Sequence, residues 1–441
     1  MLDIEFIRKH SKEVQRAINE KGLVFPVGIP DARNGFITTI LDCDTKIRKI
    51  VKELDVLRHE QNVRSKKRPT EEERGELKNL SNKIKELETD ERSYRRTLNN
   101  LLPWVPNIPS PDSPIGLDSS ANVVMKTVGS IPEFSFPMKD HIALGTELDL
   151  LDLEAGARVS GFRGYYLKNE AVRMHLGLMW LALETVAKHG FTLLSPPTIV
   201  REEALLGSGH FPFGKEEIYQ IANPGRLADG KEEKAPAYLV GTAEPSLLAY
   251  YADSTLDEEQ LPLALCGFSP CYRSEIGSYG KETKGLYRIH EFLKVEQVVI
   301  IPADEQIAEQ WFQKLLGVAE ELLQKLELPY RLVNTATGDM GAGKVKMVDI
   351  ETWMPSRNGY GETHSNSFLG DWQSRRLGLR YRAQDGTVRC AYTLNNTALA
   401  SPRILIALWE NFQDADGSIR VPKILQPYVG TDRITKAPHQ P

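Results

Sequence analysis

In CYRSEIGSYGKETKGLYRIHEFLKVEQ, residues 271–297, charged side chains of both signs and one aromatic ring recur at short, even spacings. Arg273 and Glu275 stand two apart; after a Gly/Ser/Lys loop, Arg288, Phe292 and Glu296 follow at steps of four, with His290 and Lys294 between them. Side chains two apart in a strand share a face, so each group points one way if the stretch is a hairpin. Ile289, Leu293 and Val295 take the opposite, apolar face. The charged face has the equipment to handle a nucleotide and an amino acid. Arg273 can neutralise an α-phosphate and the charge that develops when a carboxylate attacks it. Glu275 can accept a hydrogen bond from an adenine amino group, and Phe292 offers a stacking surface for the base, worth about 1–3 kcal/mol. Glu296 can hold an ammonium group. The same pattern also describes a hairpin whose outer face is merely solvated and salt-bridged, and on this stretch alone the two readings are evenly matched.

The elements that must position these groups are readable around them. An amphipathic helix is expected over 170–189, ended by Gly190, with others over 304–327 and 403–412. Short strand-like runs lie close together: FTLLSPPTIV, AYLVGTAE, LALCGFSPCYRSE, the second half of the opening stretch, and KMVDIETWM. That spacing predicts an antiparallel sheet with helices packed against it, an α+β architecture. The stretch 223–237 reads as an exposed loop without an assigned role, and the tail RITKAPHQP as frayed.

The first third of the chain is of another kind. Leu77, Leu80, Ile84, Leu87, Tyr94, Leu98 and Leu101 recur at alternating steps of three and four, with Glu91 as the misfit. Ile40, Ile47, Val51, Leu54 and Gln61 make a similar stripe upstream. These are heptad seams. Between them Pro69 breaks the helix, Thr70 is placed to cap the next one, and Glu71 to Glu73 suit its first turn. The expectation is a long antiparallel helical hairpin over about 37–101, closed by Pro103 and the proline-rich PWVPNIPSPDSPIG. Residues 1–107 then form an N-terminal helical domain and 108–441 a second domain. Residues 46–100 carry 16 Lys/Arg against 11 Asp/Glu, in a chain whose net charge is −5. Arg58, Arg64, Lys66, Lys67 and Arg68 crowd towards the tip. A solvated coiled coil explains this, and so does a lever presenting cations to an RNA read by shape.

The totals restrict the class. At 441 residues the chain needs two or three domains. The negative charge excludes a generally basic nucleic-acid binder. Cys43, Cys266, Cys271 and Cys390 contain no CxxC pair, so reduced thiols in a cytoplasmic setting are expected rather than zinc or disulfides. No signal peptide or bilayer-spanning run is evident. GDMGAGK at 338–344 has P-loop spacing, but Val345 stands where Ser or Thr should hold magnesium, and a strand rather than a helix follows.

Taken in order, these segments resemble the seryl-tRNA synthetases of bacterial type, within the class II aminoacyl-tRNA synthetases. Tyr272-Arg273-Ser274-Glu275, a loop, and Arg288, Phe292 and Glu296 look like the class II motif 2. Gly241-Thr242-Ala243-Glu244 is similar to the family's TxE segment, and TLNNTALASPR, ending at Arg403, to motif 3. HGFTLLSPPTIV, with Pro197, resembles motif 1, and the helical hairpin resembles the family's coiled-coil arm. The resemblance covers nearly the whole chain. It implies an ATP-dependent ligase with a class II antiparallel catalytic domain preceded by the arm. Such an enzyme activates L-serine as seryl-adenylate and transfers it to serine tRNA, with selenocysteine tRNA a further candidate. It implies that Arg273 and Arg403 are catalytic, and that Arg273, Glu275, Ile289, Phe292, Glu362, Ser365 and Arg403 bind ATP. Thr242, Glu244, Arg273, Glu296, Asn395 and Thr397 would bind serine, and Glu362 and Ser365 would bind Mg2+ with the ATP. Arg58, Arg64, Lys66, Lys67 and Arg68 would hold the long variable arm of the tRNA. A homodimer through motif 1 is implied, with no membrane or DNA partner.

Four positions depart from the pattern. Pro402 stands where many relatives have Gly, Asn396 and Thr397 replace a common Gly and Ser, and position 361 is Gly where Arg is often expected. Two rival readings are a ligase charging a carrier protein or other acceptor, and an inactive paralogue. The arm argues against the first, and retention of Arg273, Glu296 and Arg403 against the second.

Overall fold

The computed structural model describes residues 1–32, 35–66, 70–223, 225–276 and 285–436. The chain divides into two compact units, Met1–Ile108 and Pro109–Pro441.

In the first unit the heptad residues become the contact between two long antiparallel helices, Phe36–Arg64 and Glu71–Leu101. Ile40, Ile47, Leu54, Ile84, Leu98 and Leu101 are buried. Glu53–Lys83 at 2.7 Å and Arg58–Glu88 at 2.8 Å tie the helices near mid-length, and Arg64–Glu76 at 2.7 Å ties them towards the tip. Thr70 caps the second helix through a capping box: its hydroxyl accepts from the Glu73 N–H, and the Glu73 carboxylate accepts from the Thr70 N–H at 2.7 Å.

The second unit is built on an eight-stranded sheet: β1 (Val123–Val128), β2 (Thr192–Leu194), β3 (Leu263–Tyr272), β4 (Glu291–Ile301), β5 (Tyr330–Asn334), β6 (Lys346–Met354), β7 (Gly359–Gly370) and β8 (Tyr392–Ser401). Their order is β1-β5-β6-β7-β8-β4-β3-β2. All neighbours are antiparallel except the edge pair β2–β3, which is parallel. Helices Glu170–Lys188 and Glu305–Lys325 cover one face, and Met174, Leu178, Phe312, Leu315 and Leu322 meet Val295 and Val299 there. The second of these helices starts at Asp304, whose carboxylate accepts from the Gln306 and Ile307 N–H groups.

The period-two reading of the opening stretch holds only inside the strands. β3 ends at Tyr272 and β4 begins at Glu291, so Arg273, Glu275, Arg288, Ile289 and His290 lie beyond strand ends. Glu275 has φ +51°, a left-handed turn conformation that breaks the expected alternation with Arg273. Residues 277–284, the Gly/Ser/Lys loop, are outside the described residues, as are Lys67, Arg68 and 437–441.

Candidate active site

β4 lies inside the sheet, between β8 and β3, and both of its faces are covered. Its odd-numbered Leu293 and Val295 feed the main core, whereas Phe292, Lys294 and Glu296 face the other way. Lys294 and Glu296 are 5% and 2% exposed, which rules out the solvated outer face. Buried charges of this kind require a partner or a purpose.

Two adjoining cavities open on this row. The first is lined by Arg273, Glu275, Ile289, Phe292, Glu362, Ser365 and Arg403, so the full set expected to bind a nucleotide meets there. The second gathers Thr242, Glu244, Arg273, Glu296, Asn395 and Thr397, the full set expected to bind an amino acid. Arg273, Lys294, Glu362, Ser365 and Thr397 line both. Arg58, Arg64 and Lys66 belong to the arm, where Arg58 and Arg64 are engaged in the inter-helix ion pairs.

In the first cavity the Arg273 guanidinium lies over the Phe292 ring, 5.3 Å from its centre, and its Nε donates to the Gly241 carbonyl at 3.3 Å. The Arg273 backbone N–H donates to the His290 carbonyl at 3.0 Å, and the His290 ring returns a hydrogen bond to the Arg273 carbonyl. These contacts lock the turn that presents the guanidinium. Glu275 receives Arg288 Nη1 at 3.0 Å. Arg403 begins helix Arg403–Asn411; its Nη1 donates to the Glu362 carbonyl at 2.7 Å and its Nε to the Tyr287 carbonyl at 3.0 Å. At Gly361 a Cβ would stand 3.0 Å from the Tyr287 ring and 3.1 Å from Met354 Sδ, so any side chain there would have to displace one of them. Arg357 and Arg403 both lie over that ring, 4.3 and 4.4 Å from its centre.

In the second cavity Glu244 is the first residue of helix Glu244–Ala249, and its side chain turns inward rather than capping. Gln373 donates to Glu244 Oε1 at 2.6 Å and to the Ser208 carbonyl at 2.8 Å. Burial raises the Glu244 pKa, and the Gln373 bond opposes that shift. Thr397 donates to Glu296 Oε2 at 3.2 Å, and Asn395 Nδ2 lies 3.5 Å from Oε1. Asn396 points elsewhere, to Gln297 and the Leu315 carbonyl.

Several lining residues went unassigned in the sequence. Gly341 to Lys344, the tail of the false P-loop, form a wall of the second cavity. Its floor is Trp372, which stands against two glycines: a Cβ would come within 2.1 Å of the indole at Gly209 and 2.5 Å at Gly343. The Arg376 guanidinium covers the same indole at 3.6 Å, and burial lowers its pKa to about 9. Asp349, on β6 opposite Ser365, is raised to about 8 by burial and then by Glu362. Its one signal was an acid inside an apolar strand.

A hard divalent cation prefers oxygen donors. Glu362 and Ser365 line the first cavity. Ser365 Oγ and Asp349 Oδ1 are buried, and a Ser365 hydrogen bond opposes the upward pKa shift at Asp349. Glu362 and Ser365 offer oxygen donors of the kind magnesium takes alongside ATP, while among the described residues no cluster of three or more His, Cys, Asp or Glu is placed to hold a metal ion by itself.

A family model described as the seryl-tRNA synthetase N-terminal domain matches residues 1–109, and the tRNA synthetase class II core domain (G, H, P, S and T) matches 226–412. The serine–tRNA ligase of Deinococcus radiodurans is 42% identical over 444 residues, covering 99% of this chain and all of the relative. The chain belongs to the serine–tRNA ligase family. That of Rubrobacter xylanophilus is 36% identical with the same coverage. A crystal structure of seryl-tRNA synthetase from Pyrococcus horikoshii complexed with ATP superposes with a TM-score of 0.89 at 35% identity, covering 99% of this chain and 100% of that one. Family membership accounts for the arm and the class II sheet together.

Proposed function

We propose that this chain activates L-serine with ATP and transfers the seryl group to serine tRNA. The observation that carries this reading is the pair of adjoining cavities with Arg273 on their common wall. With adenine against Phe292 and the serine ammonium at Glu296, the serine carboxylate and the α-phosphate meet at Arg273. The carboxylate oxygen attacks the α-phosphorus, the bond to the bridging oxygen breaks, and pyrophosphate leaves with that electron pair. A hydroxyl of the tRNA 3′-terminal ribose then attacks the acyl carbon, and AMP departs. This chemistry runs on positioning and charge neutralisation. Arg273 offsets charge at the α-phosphate and Arg403 at the terminal phosphates. Glu362 and Ser365, beside Asp349, would hold magnesium, which would supply further charge withdrawal from the phosphates. Glu244, Thr242 and Glu296 fix the amino acid, and Thr397 and Asn395 border its hydroxyl. A site that hydrogen-bonds a substrate hydroxyl rejects an analogue lacking it by large factors, so alanine is excluded without editing.

Arg58, Arg64 and Lys66 present positive charge along the arm to the tRNA. A second copy of the chain covers the stripe Val172, Leu176 and Trp180 of helix Glu170–Lys188, which is 38%, 45% and 59% exposed at helical spacing. No helix among the described residues is long and apolar enough to cross a membrane. Pyrophosphate exchange tests the assignment: serine should drive it without tRNA, and exchange driven by another amino acid instead would refute it.

A further inference from the structure

Lys294 stands in the alternating row between Phe292 and Glu296, and the mechanism above gives it no task. Its side chain is 6% exposed, its Nζ lies 2.6 Å from Glu296 Oε2, and it lines both cavities. A buried ion pair gives little net stability against the cost of desolvating both charges. Here the carboxylate assigned to a substrate ammonium is already held by an ammonium that belongs to the protein.

We propose that Lys294 is a placeholder for the amino acid's ammonium group. It holds Glu296 while the second cavity is empty and is expelled towards the α-phosphate when the amino acid binds. This rests on the reading of Glu296 as the ammonium site. Glu296 Oε2 is the acceptor for Lys294 Nζ and for the Thr397 hydroxyl, and Oε1 faces Asn395, so little of the carboxylate remains for a second cation. Two ammonium groups on one buried carboxylate repel in a low-dielectric site. Arg273, Glu244 and Lys344 also border this region, and Glu362 and Ser365 share the wall. An incoming α-phosphate is the anion that the displaced Nζ can reach from that wall. Displacement thus moves a protein cation from the amino-acid cavity to the place where charge develops. Because coupling between ligands is reciprocal, ATP should tighten serine binding through the same side chain.

Serine binding to wild-type enzyme and to Lys294→Met is measured by calorimetry, with and without α,β-methylene ATP, beside serine-dependent pyrophosphate exchange. In wild type the nucleotide should tighten serine binding about tenfold. In Lys294→Met that ratio should fall to about one, and serine should bind the nucleotide-free enzyme at least as tightly as in wild type. The exchange kcat should fall roughly a hundredfold without a rise in the KM for serine. Retained coupling in the variant, a wild type without coupling, or parallel loss of serine affinity and rate each overturns the proposal. If the variant does not fold, a wild-type structure with a seryl sulfamoyl adenylate mimic decides: Nζ beyond about 4 Å from Glu296 supports it, and an intact pair refutes it. Failure of the underlying assignment would look different, since wild type would then show no serine-dependent exchange.

Discussion

The arm and the catalytic unit use the same two residue types, glutamate and basic side chains, in opposite ways. On the arm the pairs Arg58–Glu88 and Arg64–Glu76 lie in solvent, with side chains 37–60% exposed. Pairs of that kind are worth about 0–1 kcal/mol, and the hairpin is held by its apolar seam. In the catalytic unit Lys294 and Glu296 are buried, where desolvation is costly. Charge on the arm faces solvent; charge in the sheet lines a cavity. Each unit can therefore be damaged without the other.

The sharpest break is Arg273→Ala. It should lower adenylate formation by roughly a thousandfold or more, seen in pyrophosphate exchange, while the thermal unfolding profile stays near wild type because Arg273 is only half-buried. Deleting about residues 40–100 should reverse the pattern. Aminoacylation should fall by about two orders of magnitude as phosphate contacts are lost, with exchange nearly intact; an equal fall in both would make the arm structural only. Leu54→Ala, at a side chain 1% exposed, should cost about 2–5 kcal/mol of arm stability, read by local hydrogen exchange.

Acid should separate the units by their histidines. Burial holds His175 and His210 down at about 4 and His364 at about 3, against an ordinary 6.5. For each the unfolded chain binds the extra proton, so stability is full above about 6.5 and falls as pH drops towards the folded value. The slope is roughly 1.4 kcal/mol per pH unit per group. His59, in the arm, is exposed. Tryptophan fluorescence, reporting mainly Trp180, Trp311, Trp353, Trp372 and Trp409 of the catalytic unit, should lose its transition on acidification before far-UV ellipticity loses the arm. The smallest effect is Arg58→Ala: a change of under about 1 kcal/mol in stability, yet a tRNA-binding salt slope shallower by about one unit.

The fold was legible where one period ran long enough. The heptads foretold the hairpin and Thr70 its cap; that β4 is covered on both faces was not foretold. The lining residues in 242–244, 362–365 and 395–403 were legible through the resemblance of those segments to the family's motifs, not from spacing. What escaped was whatever depended on chain reversal or distant approach. No periodicity announces that Glu275 turns left-handed, and none that Gln373 crosses to Glu244. Asp349 shares its strand with Glu351 and acquires meaning only when β7 brings Ser365 opposite. Alternation holds in the opening stretch only inside β3 and β4 and stops where the backbone leaves the sheet at Arg273 and before Glu291.

The slot around Trp372 has one further consequence. With Gly209 and Gly343 close against it and a guanidinium laid over it, the indole is tightly held. The cavity proposed for the amino acid then has a rigid floor, and a bulkier substrate would meet it unchanged. Retargeting the enzyme would mean rebuilding the floor itself.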